Sequence, residues 1–269
     1  MKKLLFALCT IMLLGTGAQA QLVKQEMLVI KGETLNESAK TTPHNLYLTE
    51  DMLVAHIGAT DKEGRTIIFN DKDEVLLIVD HKKKEVTQIT KDDLKAISSE
   101  LDKATAEMQK QLAQLPAEQR AMVEKQMKLA MQPAETPEYK TDGKGQVSGW
   151  ECQNYLNATG DQKESEICLA TFEALGYDED DFKILHKLSK FISPAMSTVN
   201  RIFPYYSGLF NPEINDYTNS LPVRAVRYNN QGQPESTTTI QSIEEEELDE
   251  AAFEVPKKYK KTALSGLIK

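Results

Sequence analysis

Between residues 45 and 89 the chain alternates short apolar runs with polar connections of three to eight residues. The runs are 45–48, 52–57, 66–70, 75–80 and 85–89. The connections include Thr49-Glu50-Asp51, Asp71-Lys72-Asp73-Glu74 and His81-Lys82-Lys83-Lys84. Runs this short suit strands and are marginal as helices. Connections this tight join antiparallel neighbours, because a parallel pair needs a long crossover. The pattern predicts an antiparallel meander, with 23–31 as a further strand ahead of it. Some runs alternate and others are apolar throughout, so part of the sheet should be covered on both faces.

After Ile89 the period changes. Leu94, Leu101, Met108 and Leu115 recur every seven residues, with Ile97, Ala104 and Leu112 close by. This predicts an amphipathic helix of about six turns. Thr90 or Lys91 caps it, and Asp92 and Asp93 suit the positive end of its dipole. Pro116 breaks it and opens a second helix over 117–131, carrying Met122, Met127, Leu129 and Met131. Methionine packs adaptably and lines promiscuous apolar sites. Met108, Leu112, Met122 and Met127 are therefore candidate ligand contacts, with plain core filling as the competing reading.

Residues 132–145 are polar, contain Pro133 and Pro137, and read as a loop. A third helix is expected over 178–192, capped by Asp178, with Phe182, Leu185, Leu188 and Ile192 on one face. Ser193-Pro194 interrupts it. Residues 203–217 gather Phe203, Tyr205, Tyr206, Phe210 and Tyr217. Such a stretch reads as a binding loop, a lid or a dimer contact, or as a loop folded over the core. Residues 223–228 and 235–243 form a hairpin around Asn229-Asn230-Gln231-Gly232. The acidic run 244–247 reads as a solvated face. Without a repeat or a compositional linker, the simplest organisation is one continuous domain with a helical excursion over 91–133.

The first twenty residues stand apart. Lys2 and Lys3 precede a mostly apolar stretch over 4–14, and Ala18-Gln19-Ala20 is a small-residue cleavage signal. This is the grammar of a secretory signal peptide, cut after Ala20. The apolar stretch spans roughly half a bilayer core, too little for an anchor. Residues 21–269 then form the mature chain, periplasmic or secreted from a bacterium, with no transmembrane segment. Cleavage removes two lysines and no acid, taking the net charge from −9 to −11. That acidity excludes non-specific nucleic-acid binding, which needs basic surface, and argues against general attraction to anionic membranes.

Cleavage also removes Cys9 and leaves Cys152 and Cys168. Two cysteines in an oxidising compartment predict one disulfide, with two buried free thiols as the alternative. Residues 150–158 and 163–170 read as a hairpin, and a turn centred on Gly160 would set Cys152 directly opposite Cys168.

Little else suggests chemistry. His44, His56, His81 and His186 lie far apart without metal-ligand spacing. Asp178-Glu179-Asp180-Asp181 lacks the alternating ligands and glycine of a calcium loop. There is no nucleophile elbow and no phosphate-binding loop. The expectation is a non-enzyme with no metal and no cofactor.

The segments EVLLIVDHKKKEVTQITKDDL, LAQLPAEQRAMVEKQMK and GQVSGWECQNYLNATGDQKESEICLA occur in an order that resembles a family of exported bacterial proteins known only as a domain of unknown function. They are residues 74–94, 112–128 and 145–170. The ending LDEAAFEVPKKYKK, residues 248–261, is similar to the close of periplasmic carriers of the LolA, LolB and LppX type. The resemblance implies an α+β fold: a strongly curved antiparallel sheet, a half-barrel, with helices covering its concave side. It also implies a carrier for a lipid, a lipoprotein acyl chain or another amphiphile. Ligand contacts are then expected from Met108, Leu112, Met122, Met127, Phe203, Tyr205, Tyr206 and Phe210. The alternative is a cell-envelope protein–protein interaction module without a small ligand.

Overall fold

A computed structural model describes residues 24–58, 64–114, 139–160, 162–193, 219–249, 253–262 and 264. The meander forms as its apolar runs require. Strands β1 (Lys24–Asn36), β2 (Thr41–Leu48), β3 (Met52–Ile57), β4 (Arg65–Asn70), β5 (Val75–Asp80) and β6 (Glu85–Thr90) pair antiparallel in chain order. Helix α1 (Lys91–Ala113) follows. Then come β7 (Lys140–Val147), β8 (Trp150–Thr159), β9 (Gln162–Thr171), β10 (Ser220–Tyr228) and β11 (Pro234–Asp249). β11 pairs with β1 and joins the two halves, while β12 (Lys260–Thr262) adds a parallel edge to β6. The result is an open, mostly antiparallel sheet of twelve strands, ordered β12-β6-β5-β4-β3-β2-β1-β11-β10-β9-β8-β7. Described helices are few: α1, α2 (Phe172–Leu175), a 3₁₀ turn (Glu179–Phe182) and α3 (Lys183–Ile192).

Alternation along the strands sorts residues to two faces. Leu53, Ala55, Ile67, Phe69, Leu76 and Ile78 share a core with Leu94 of α1, Phe172 and Leu175 of α2, and Ile184, Leu188, Phe191 and Ile192 of α3. Val54, Ile68 and Val79 point the other way and are buried with Met27, Val86 and Phe253. Strands β3 to β5 are thus covered on both faces, which is why they read as apolar throughout.

The helices are set by local chemistry. Thr90 caps α1: its hydroxyl accepts from the Asp93 amide at 3.2 Å, and the Asp93 carboxylate accepts from the Thr90 amide at 2.8 Å. Lys187 ties α3 to two strand turns. Its ammonium lies 2.9 Å from Asp71 and 3.6 Å from Asp51, and it donates to the Glu50 carbonyl at 3.0 Å.

Three expectations change. Residues 140–145 are strand, not loop: β7 is a polar edge strand, exposed over most of its length, so it carries no apolar signal. Residues 178–192 are not one helix but a 3₁₀ turn followed by α3. The acidic run 244–247 is solvent-facing as expected, with Glu244, Glu245 and Glu247 exposed, and it extends β11 along β1, so this expectation stands. Finally, Cys168 stands opposite Asn154, not Cys152. The β8–β9 register is displaced by an irregularity after Asn157, which a symmetric turn could not anticipate. The bridge Cys152–Cys168 nevertheless forms, diagonally across the two strands, with Cα atoms 5.4 Å apart.

The β7 flank curls toward the middle of the sheet. Val147 and Trp150 pair across a two-residue turn in which Ser148 and Gly149 both have positive φ, 51° and 94°. From that turn Ser148 Oγ donates to the Ile240 carbonyl of β11 at 2.6 Å. Strands β8, β9 and β10 intervene, which in a flat sheet would put β7 and β11 roughly 19 Å apart.

Candidate functional site

The helix-facing side of the sheet is apolar from β6 to β8. Leu28, Ile30, Leu46, Leu48, Ile89, Ala170, Leu221, Val223, Ile240 and Ile243 join the strand and helix residues already named in one core cluster. The disulfide lies in it too, since Cys152 and Cys168 are both buried. Gly145 of β7 makes room for the bridge: a Cβ there would come within 3.0 Å of Cys168 Sγ and 3.1 Å of the Asn154 side-chain amide.

Two polar groups stand out on these strands, His44 on the apolar face and Arg224 on β10. His44 alternates in phase with Leu46 and Leu48, is buried, and its Nε2 has no partner among the described residues. Burial pushes its imidazole below the ordinary range, against a hydrogen bond with the Thr42 backbone. It sits opposite Gly32, where a Cβ would meet His44 Nε2 at 2.4 Å and the Thr239 carbonyl at 2.8 Å. The second group is Arg224, opposite Cys168. Its Nη2 donates to Glu166 at 2.6 Å, the Tyr228 hydroxyl donates to the other Glu166 oxygen at 3.1 Å, and Nη2 lies 3.5 Å from the Asn154 side-chain oxygen Oδ1. Arg224 Nε is buried and lacks a partner among the described residues. Burial, then the Glu166 charge, pushes the Tyr228 phenol upward.

A cleft of about 550 Å³ opens at one end of the face. Its buried lining is apolar, from Met27, Leu28 and Leu48. Its exposed lining is charged, from Glu26, Glu50, Asp180, Asp181, Glu245 and Lys183. Tyr177 stands nearby and donates to the Ile243 carbonyl at 3.0 Å. Burial, then Glu245 and Asp181, raises its phenol. Among the described residues no cluster of His, Cys, Asp or Glu is arranged to hold a metal ion.

Of the candidate contacts, Met108 lies on α1 and Leu112 is buried on the same helix. Met122, Met127, Phe203, Tyr205, Tyr206 and Phe210 lie outside the described residues, as do Ala18 and Ala20 of the cleavage signal. Sequence reading missed the Arg224–Glu166–Tyr228–Asn154 group. Its members come from three strands, and nothing local marks them. His44 stands just ahead of the apolar run 45–48, and nothing in the sequence marks its burial or its missing partner.

Comparison by sequence finds no matching protein family and no matching characterised protein, so the resemblance to an exported family gains no support from it. Comparison of folds returns distant likenesses. An uncharacterised conserved protein from Thermus thermophilus aligns over 87% of this chain and 90% of its own, with 6% identity and a TM-score of 0.43. The MucA/MucB complex of Pseudomonas aeruginosa aligns over 86% of this chain, with 10% identity and a TM-score of 0.37. PNGF-II aligns over 91%, with 11% identity and a TM-score of 0.40. The chain spans 56% of the MucB-complex chain and 33% of PNGF-II. Likenesses at this level assign neither family nor activity.

Proposed function

We propose that this chain is an exported, non-catalytic binding or carrier protein, whose helix-facing sheet surface receives the apolar part of a lipid, a lipoprotein acyl chain or another amphiphile. One observation carries the reading: an apolar face runs across the sheet and is curled by the Ser148–Ile240 bond, with His44 Nε2 buried in it and unpaired among the described residues. The curl brings the Val147–Trp150 turn against Ile240, which supports reading the helix-facing side as the inner one. Acyl chains gain about 0.8 kcal/mol per buried methylene, so such a surface holds a lipid without a catalytic group. The signal over 1–20, with the disulfide, supports a periplasmic or secreted location. In this reading Met108, Leu112, Met122 and Met127, with Phe203, Tyr205, Tyr206 and Phe210, form the adaptable cover.

Titration of the mature protein with a fluorescent fatty acid tests the proposal. Saturable binding at micromolar concentration, displaced by phospholipid, is expected. Absence of binding, with crosslinks from Tyr205, Tyr206 or Phe210 to a protein in intact cells, would replace the carrier by an interaction module.

A further inference from the structure

The fold brings two lysine runs, separated by more than 170 residues, to one end of the sheet. The first is Lys82-Lys83-Lys84 in the β5–β6 turn. The second is Lys257, Lys258, Lys260 and Lys261 around β12. The Lys260 amide donates to the Lys84 carbonyl at 2.9 Å, and Lys260 and Lys261 then pair with Glu85 and Val86 of β6. Tyr259 fixes the approach, with its hydroxyl 3.1 Å from His81 Nδ1. All seven lysines are exposed.

Few acids offset them. Asp80 accepts from the Lys83 amide at 2.8 Å and lies 3.8 Å from Arg65, a further cation at this end. Glu85 is 4.0 Å from Lys260. No other described carboxylate pairs with these lysines.

The acid-rich end lies across the strands. The Asp71–Glu74 turn precedes β5 and the lysine turn follows it, so about 20 Å of strand separates them. That is roughly two Debye lengths at physiological salt. A planar anionic surface facing the lysine end therefore meets local positive charge, while the protein's net −9 is largely screened.

We propose that this lysine end docks the protein on a membrane surface through anionic lipid head groups, with the acidic cleft turned away. A membrane fits better than a soluble polyanion because the cations project from adjacent turns at one end of a sheet rather than lining a groove. The proposal corrects the inference from net charge, which averages over two ends of opposite sign. It goes beyond amphiphile binding and does not depend on it.

The test is co-sedimentation of the mature protein with vesicles of phosphatidylethanolamine and phosphatidylglycerol, against vesicles of phosphatidylcholine. One variant combines Lys82→Glu, Lys83→Glu, Lys258→Glu and Lys261→Glu. A second combines Lys95→Glu, Lys110→Glu, Lys144→Glu and Lys190→Glu, four exposed lysines elsewhere, and shifts net charge equally. Binding to the anionic vesicles alone, weakened by salt, is expected. The first variant should lose about a hundred-fold or more, at about five-fold per lysine, while the second stays much closer to the parent. Thermal melts establish that both variants fold. Equal loss in both, no vesicle binding by the parent, or binding to soluble heparin without binding to vesicles would overturn the proposal.

Discussion

Ser148 Oγ and the Ile240 carbonyl meet at 2.6 Å although three strands lie between β7 and β11. The contact holds the curl of the β7 flank. Ser148→Ala should therefore cost about 1 kcal/mol, the net value of one hydrogen bond, and lower the melting temperature by roughly 2–4 °C. Ser148→Gly should cost less, because glycine relieves the positive φ at this turn position. Thermal melts of the two variants, read side by side, check the ordering.

Gly32→Ala should be more damaging. The added Cβ would meet His44 Nε2 at 2.4 Å and the Thr239 carbonyl at 2.8 Å, and the second obstacle is backbone. Overpacking of this kind costs about 1–3 kcal/mol. Removing the imidazole in a Gly32→Ala/His44→Ala double variant should not rescue it, since Thr239 stays in place. Urea midpoints report both results.

His44 gives stability a pH dependence. Burial depresses its folded-state pKa below the ordinary 6.5, so the unfolded chain takes up the proton first as pH falls. The contribution is full above about pH 6.5 and is lost below it, toward the depressed folded value. His44→Gln should flatten stability between neutral and mildly acidic pH relative to the parent. Urea denaturation across that range decides it, and an unchanged slope would contradict the assignment.

The disulfide closes a loop with a sequence separation of 16. In the chain-entropy account, a loop of this size is worth about 3 kcal/mol. Replacing both cysteines by alanine should lower stability by about that amount. Adding reductant to the parent should do the same and should leave the double variant unaffected.

These features were unequally legible in the sequence. Strands β3 and β5 are bounded as their apolar runs predict, because burial on both faces leaves a dense signal in the chain itself. The cap could be narrowed to Thr90 or Lys91 because a helix start is marked locally, and the structure selects Thr90, whose partner Asp93 lies one helical turn away. β7 was invisible because an edge strand exposed over most of its length needs no apolar residue. The cysteine pairing was correct although the inferred register was not: a bridge tolerates a diagonal placement that a facing-pair argument does not consider. The Arg224–Glu166 pair and the Lys84–Lys260 contact could not be read at all. Each joins strands whose adjacency follows only from the complete sheet order.

The most direct test of the carrier reading is what the protein holds when taken from its own cell envelope. Native mass spectrometry and organic extraction of that material should reveal a bound amphiphile, lost on unfolding. Protein that carries no amphiphile, and that binds no acyl probe at micromolar concentration, would contradict the account.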